Sequence, residues 1–375
     1  GEERVNTYTT SNQFDPEVAS LTGGAYVTTW TSAGQDGNAD GVYAQRYSAN
    51  GVAVGPEFKV NTVTTGTQEF SHAAGLSDGG FVIVWEDSNS TDGSGWGVIG
   101  QRYDASGVAQ GGNFIVNTTV SGTQFHGTVA GYAGNGGSVA AGFAAVWSAN
   151  GLVGGIGQDI ALQRFDNAGA KFGGELLVNT VKNATQQRPD VAAYDNGNLV
   201  IVWEDHSGSD GNGYGVFGRR YDAVTESFGA QFQVNTITAG NQYEARVAVL
   251  SNGGFVVVFG DSGAQDGSGW AIFARVYDAA GVAQGDAFQV NEYTTNSQYQ
   301  AAVTSLSSGG FVVGFYNDSI GPDGSYYDTI IREYTNDGVA VDGDRRVNTP
   351  GNTQQSEPAL ADLGNGNFVV TWRSE

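Results

Sequence analysis

The chain has no cysteine and no methionine. Without cysteine there is no disulfide framework, no thiolate metal site and no catalytic thiol. Cationic side chains are scarce: 16 Lys and Arg stand against 39 Asp and Glu, a formal net charge of -23. Binding to phosphate backbones needs a Lys/Arg footprint, so nucleic acid is excluded as a partner, and anionic membrane surfaces are disfavoured for the same reason. Cations, neutral sugars and proteins remain. Long apolar runs are missing too, and stretches such as "FVVVF" at 255–259 are far too short to insert across a bilayer. The opening "GEERVNT" has no apolar leader region, which reads as a mature chain or an excised domain. No window sustains a capped helical apolar period, so helix content should be near zero. With 59 glycines and this acidity, the composition fits a secreted bacterial protein, extracellular or at the cell surface, better than a cytosolic enzyme.

What the chain does have is repetition. Val-Asn begins at Val5, Val60, Val116, Val178, Val234, Val290 and Val347, spaced by 55, 56, 62, 56, 56 and 57 residues. A glutamine follows each: Gln13, Gln68, Gln124, Gln186, Gln242, Gln298 and Gln354. Then come a short alternating segment, a tight turn such as "SDGG" (77–80), an apolar run such as "FVIVW" (81–85), an Asp-Gly loop and a segment such as "GVIGQRYD" (97–104). Segments rich in Val, Ile, Phe, Tyr and Thr between Gly/Asn/Asp turns are strand and hairpin signals. One such unit cannot bury both faces alone, and radial packing of four-stranded units solves this.

The expected fold is therefore an all-β, seven-bladed β-propeller forming a single domain over 1–375. Its repeats lie at about 8–62, 63–118, 119–180, 181–236, 237–292, 293–349, and 350–375 plus 1–7. The last unit stops after its second strand-like segment, so residues 4–7 are expected to join the C-terminal hairpin in a three-stranded closing blade.

Successive turns of an antiparallel meander alternate between the two strand ends. The glutamine loops and the Asp-Gly loops therefore share one face, and function is sought there because binding residues concentrate on loops held by a rigid scaffold. Four Asp-Gly loops carry two aspartates five apart: Asp87 and Asp92, Asp205 and Asp210, Asp261 and Asp266, Asp318 and Asp323. Two readings stand. The carboxylates and loop carbonyls are hard oxygen ligands for a weakly held calcium, or the aspartates form Asx-turns with glycine at positive φ. Trp96, Tyr214, Trp270 and Tyr326 close these loops, as sugar-stacking platforms or as packing between blades. Gln68, Gln124, Gln186 and Gln242 either tie up loop backbone or hydrogen-bond a polar ligand. Arg46, Arg102, Arg164 and Arg220 read as structural, with Asp104 or Asp222 as strand-end partners.

Three histidines, His72, His126 and His206, fall near the same face at unlike repeat positions, as scattered polar residues or as a general base. The third repeat is irregular: "AGNGGSVAAG" (133–142) lengthens a turn, and "NGLVGGIG" (150–157) replaces its Asp-Gly loop.

Taken together, the Val-Asn-Thr, the glutamine, the "DGGFVVxW" run, the "DGSG" loop and the "GQRYD" segment resemble repeats of large secreted bacterial proteins. These are adhesins and hemolysin-type calcium-binding proteins. The resemblance implies an extracellular propeller module and supplies no catalytic set; the G-G-x-G-x-D nonapeptide of such proteins is not in this sequence. The first functional expectation is a non-enzymatic adhesion module presenting its acidic loop face to a carbohydrate or cell-surface protein. The alternatives are a polysaccharide lyase or hydrolase with its site on that face, and a structural module of a surface layer or filament.

Overall fold

The computed structural model describes residues 1–152, 157–182, 184–318, 327–350, 353–364 and 366–375. Six antiparallel sheets follow one another along the chain, five of them four-stranded meanders in sequence order; in the fourth a further short strand, Phe232–Gln233, also pairs with Gly215–Asp222, and a two-stranded sheet ends the chain. Each opens with a glutamine. The first strands are Gln13–Ser20, Gln68–Gly75, Gln124–Tyr132, Gln186–Ala193, Gln242–Val249 and Gln298–Ser305, with Gln355–Asp362 opening the C-terminal hairpin. Fourth strands vary: Phe58–Lys59, Phe288–Gln289 and Arg345–Arg346 have two residues each, whereas Ala109–Ile115 and Lys171–Leu177 have seven. Among the described residues the one helical element is a 3-10 turn at Thr22–Gly24, and no helix is long and apolar enough to cross a membrane.

The second strands form the core. Phe81–Asp87, Leu199–Asp205 and Phe255–Asp261 are buried along their whole length. Side chains alternate across a strand, so one strand serves two neighbours. Phe81, Ile83 and Trp85 pack with Val27, Val42 and Ala44 of the first sheet. Val82 and Val84 point the other way, to Phe143 and Trp147 of the third. Each such side chain contributes about 1.5–3 kcal/mol by burial, which is why these runs are apolar on both faces.

The chain divides into two compact units: Arg4–Ile201 with Arg219–Gln231, and Gly1–Glu3 with Val202–Gly218 and Phe232–Glu375. The larger holds the first three sheets and the first strand of the fourth, and the smaller holds the last two sheets and the hairpin. Within each unit, neighbouring sheets pack through their first strands. Four-stranded antiparallel sheets packed in this way are propeller blades, and the fold is an all-β propeller.

Six blades are complete, not the seven expected. The seventh repeat contributes only Gln355–Asp362 and Phe368–Ser374, and residues 4–7 form no strand. Residues 6 and 7 are held by the first blade: Asn6 donates to Tyr8 O at 2.6 Å and to Gln13 Oε1 at 2.8 Å, as the asparagines of later repeats do, and Thr7 N donates to Glu57 at 2.6 Å.

Candidate functional site

The recurring Asn and Gln meet. In six of the seven Val-Asn repeats the asparagine donates through Nδ2 to the glutamine seven residues on, at 2.8–3.3 Å, in the pairs 6/13, 61/68, 117/124, 179/186, 235/242 and 291/298. Its Oδ1 accepts a third-strand amide, as from Val98 to Asn117 at 3.1 Å and from Val216 to Asn235 at 3.0 Å. Its Nδ2 also reaches the second aspartate of the Asp-Gly loop: Asp92 at 2.7 Å, Asp210 at 2.9 Å and Asp266 at 3.3 Å. Gln68, Gln124, Gln186 and Gln242 are fully buried. Their amides clasp loop to strand and do not face solvent. In the last repeat Gln355, not Gln354, takes this place.

The aspartates hold turns. Asp87 accepts Asn89 N at 2.7 Å and the Thr91 hydroxyl at 3.0 Å, and Asp205 accepts Ser207 N at 2.7 Å. Asp261 accepts Gly263 N at 2.8 Å and the Gln242 amide at 2.7 Å, and Asp318 accepts Ser297 N at 3.0 Å. Asp92, Asp210 and Asp266 each accept a backbone amide two residues ahead at 3.1 Å. Asp323 and Tyr326 lie outside the described residues. These aspartates act as acceptors within their turns, and no group of three or more His, Cys, Asp or Glu converges among the described residues. In the loops of Asp92, Asp210 and Asp266 the second glycine abuts the next blade. Gly269 has φ +63°, and a Cβ there would lie 2.5 Å from Asn296 O.

These loops carry the aromatic rings to the next blade's first strand. In the smaller unit the contacts run on without a break. His206 stacks on Tyr214 at 3.6 Å between centroids, Tyr214 meets Tyr243 at 5.8 Å, and Tyr243 stacks on Trp270 at 4.7 Å. Trp270 meets Tyr299 at 5.3 Å, Tyr299 meets Tyr316 at 5.3 Å, and Tyr316 meets Tyr327 at 5.9 Å. All seven rings are partly exposed.

Acid–base groups border this run. Glu204 is fully buried; its Oε1 accepts the backbone N–H of Glu244 at 2.7 Å, and its Oε2 lies 3.3 Å from His206 Nε2. Burial, then the nearby Glu244, Tyr299, Tyr327 and Glu357, hold the Tyr316 phenol well above its ordinary range, so it keeps its proton. Glu357 pairs with Arg373 at 3.2 Å. Two carboxylates thus flank a protonated phenol beside an aromatic platform.

The larger unit has its own cluster. Glu69 and Glu86 face each other across the first two strands of the second blade. Burial pushes Glu86 up to about 8, against the lowering effect of the His126 N–H it accepts, and Glu69 adds to the rise. Glu69 is raised by burial and by Asp40. Trp96 sits 6.4 Å from Phe125, and His126 lies 6.0 Å from Phe125 and 6.5 Å from Phe70. His72 Nδ1 lies 3.4 Å from Glu17.

Of the residues singled out in the sequence, Trp96, Tyr214 and Trp270 each contact a ring of the next blade's first strand and are partly exposed. Tyr243, Tyr299, Tyr316, Tyr327, Glu204, Glu244 and Glu357 were not singled out. The signal for Tyr243 and Tyr299 is their place one residue after the recurring glutamine. The arginines contact neighbouring turns, as Arg46 does at Ala105 O (2.7 Å), or acids, as Arg164 does at Glu226 (2.9 Å). Asp104 and Asp222 hold their own turns through Ser106 N and Val224 N, both at 2.9 Å.

The chain matches no protein-family model and no curated protein. Among solved structures, an ulvan lyase from a new polysaccharide-lyase family aligns at TM-score 0.61 and 8% identity, over 97% of this chain and 94% of that one. An α-L-arabinanase of Penicillium chrysogenum complexed with arabinobiose aligns at 0.56 and 13% identity, over 82% and 93%. An α-L-arabinofuranosidase of Fusarium graminearum, in complex with an iminosugar inhibitor, aligns at 0.52 and 13% identity, over 81% and 92%. At such identities the shared property is the propeller fold.

Proposed function

We propose that the protein is a polysaccharide-cleaving enzyme, a lyase or hydrolase, whose site lies on the loop end of the smaller unit. The observation that carries this reading is the aromatic run from His206 to Tyr327 with Glu244, Tyr316 and Glu357 beside it. Apolar sugar faces pack on aromatic rings, and Tyr214, Tyr243, Trp270 and Tyr299 offer successive platforms. Glycosidic cleavage needs a proton donor and a base at the reacting bond. Tyr316, kept protonated, is the donor in this reading, and Glu244 or Glu357 is the base. Glu204 fixes the backbone at Glu244 and the ring of His206, which makes it a positioning residue. The solved propellers that act on polysaccharides or arabinose-containing sugars support the same direction.

A non-enzymatic adhesion module, the first expectation from the sequence, would use the rings but leaves the carboxyl–phenol cluster without a task. A polysaccharide panel tests the two. New reducing ends alone indicate hydrolysis, and new reducing ends with ultraviolet absorbance of an unsaturated product indicate a lyase. Glu244→Gln and Glu357→Gln should abolish whichever signal appears. Tight binding with no cleavage on any member of the panel would return the adhesion reading to first place.

A further inference from the structure

The irregularity of the third repeat lies at the end of its blade away from the glutamine loop. Residues 133–141 join its first strand, Gln124–Tyr132, to its second, Gly142–Asn150, where the second blade uses only 76–80. The longer turn is shaped from within: Asn135 Oδ1 accepts the N–H groups of Gly137 at 2.9 Å and Val139 at 3.0 Å. Val139 is buried and seats against the fourth blade, where a Cβ on Gly197 would lie 2.7 Å from its Cγ1. Across this seam the fourth blade turns through Glu226 at φ +53°, where the second and third turn through Gly107 and Gly169. Between the two unusual turns lies a pocket whose walls include Tyr132, Val139, Arg164, Asp166, Phe172 and Ala223. It holds about 310 Å³ of free space, counted out to solvent, and lies wholly within the larger unit.

Arg164 sets the chemistry of this pocket. Its side chain is 5% exposed, and its guanidinium lies over two rings, Phe172 at 4.6 Å and Tyr221 at 5.0 Å. At the same repeat position in the first blade, Arg46 donates to two carbonyls of the next blade's turn, Ala105 O and Ser106 O. Arg164 has no such carbonyls: one N–H goes to Glu226 at 2.9 Å, and Glu226 is itself 55% exposed. The other N–H groups of this guanidinium make no hydrogen bond among the described residues. Tyr132 is buried, and its hydroxyl makes none there either. Burial holds this phenol above its ordinary range, against the lowering effect of the Arg164 charge, so it keeps its proton. Asp166 accepts Ala170 N through Oδ1 at 2.8 Å, and its Oδ2 makes no hydrogen bond among the described residues.

We infer that this pocket is a second carbohydrate site, which holds one neutral sugar residue and is separate from the cleavage site of the smaller unit. The planar Arg164 fork donates to oxygens on adjacent sugar carbons, Asp166 accepts from one of those hydroxyls, and Tyr132 bonds a third. Phe172, 49% exposed, offers its ring to the apolar face of the sugar. The charge nearby selects a neutral ligand: Glu226 and Asp166 already stand beside one arginine, and an anion would meet both. A hydroxyl pair uses donor and acceptor together.

This inference goes beyond the cleavage reading and needs no turnover; it adds a site that tethers a polysaccharide. The test is calorimetry with neutral oligosaccharides of galactose, arabinose, xylose, mannose and rhamnose, and an oligogalacturonate as the anionic control. The full chain carries Trp270→Ala throughout, to weaken binding at the aromatic run of the smaller unit. At least one neutral probe should bind this chain, and adding Phe172→Ala should weaken that binding at least tenfold. Ala140→Trp, which fills the pocket mouth and removes no hydrogen bond, should do the same. Both changes fall on exposed side chains, so the melting temperature should hold. No neutral probe bound, binding that survives both variants, or tighter binding of the oligogalacturonate than of every neutral probe would overturn the site. Binding at this pocket with no cleavage of any polysaccharide would sink only the enzymatic reading, and cleavage without binding at this pocket would sink only this one.

Discussion

Glu204 of the fourth blade accepts the backbone N–H of Glu244 in the fifth at 2.7 Å. A fully buried carboxylate thereby fixes a residue held at φ +53° on the adjacent strand. Glu204→Ala should cost about 1–3 kcal/mol through the amide left unpaired, and it should lower the cleavage rate more than it weakens binding. Denaturant melts and a kcat-against-KM comparison check both parts. A loss in KM alone would show that Glu204 does not position the reacting groups.

Trp270 lies between two tyrosines, stacked on Tyr243 at 4.7 Å and tilted against Tyr299 at 5.3 Å. Trp270→Ala should weaken oligosaccharide binding about tenfold, which corresponds to about 1.4 kcal/mol. Trp96→Ala, in the larger unit, should leave binding at the aromatic run unchanged. Equal losses in the two variants would mean that the run is not the platform.

Glu86 gives a pH signature with a definite sign. Its folded pKa, pushed up to about 8, lies above the value it takes when unfolded. The unfolded chain therefore releases its proton first as pH rises, and stability is lost progressively from about pH 4.3, the ordinary Glu value, up to the folded pKa. Glu86→Gln should be less sensitive than the wild type to a change from pH 5 to pH 9 in chemical melts. Parallel stability curves for the two proteins would contradict this.

Chelation should have no effect on the fold. Asp87, Asp205 and Asp261 already accept backbone amides at 2.7–2.8 Å, so their turns close without a cation. The melting temperature should be the same with EDTA and with added calcium. A rise in calcium would restore the metal reading of the Asp-Gly loops.

Asn235 is bonded to Val216 N, Gln242, Asp210 and Ile237 O. Asn235→Ala should destabilise the protein by about 1–3 kcal/mol for each buried group left without a partner. Thr236→Ala, which removes one exposed acceptor of the Ala287 N–H, should cost less.

The blades were legible because Val-Asn, glutamine and the apolar run recur at near-constant spacing, and each marks a strand or its end. The alternation inside "FVIVW" foretold a strand buried on both faces. The closing blade was not legible: residues 4–7 carry the same Val-Asn-Thr that ends other blades, yet they form no strand, and the last repeat supplies a hairpin alone. The aspartates were visible as pairs, yet their partner is an asparagine 25 residues ahead in the chain, as Asn117 is to Asp92. In the third blade Asp159 bonds Asn179 at 2.9 Å, although that repeat lacks the Asp-Gly pattern. The positive φ at Glu244 and Glu357 stayed hidden because its usual marker, glycine, is missing there.

One consequence concerns motion. The amides of Gln124, Gln242 and Gln298 donate to Trp96 O, Tyr214 O and Trp270 O, each on the preceding blade, at 2.9–3.0 Å. Such an amide exchanges its hydrogen only when two neighbouring blades part. Three glutamine N–H groups are thus built-in gauges of how often the seams between blades breathe, each reporting on its own seam.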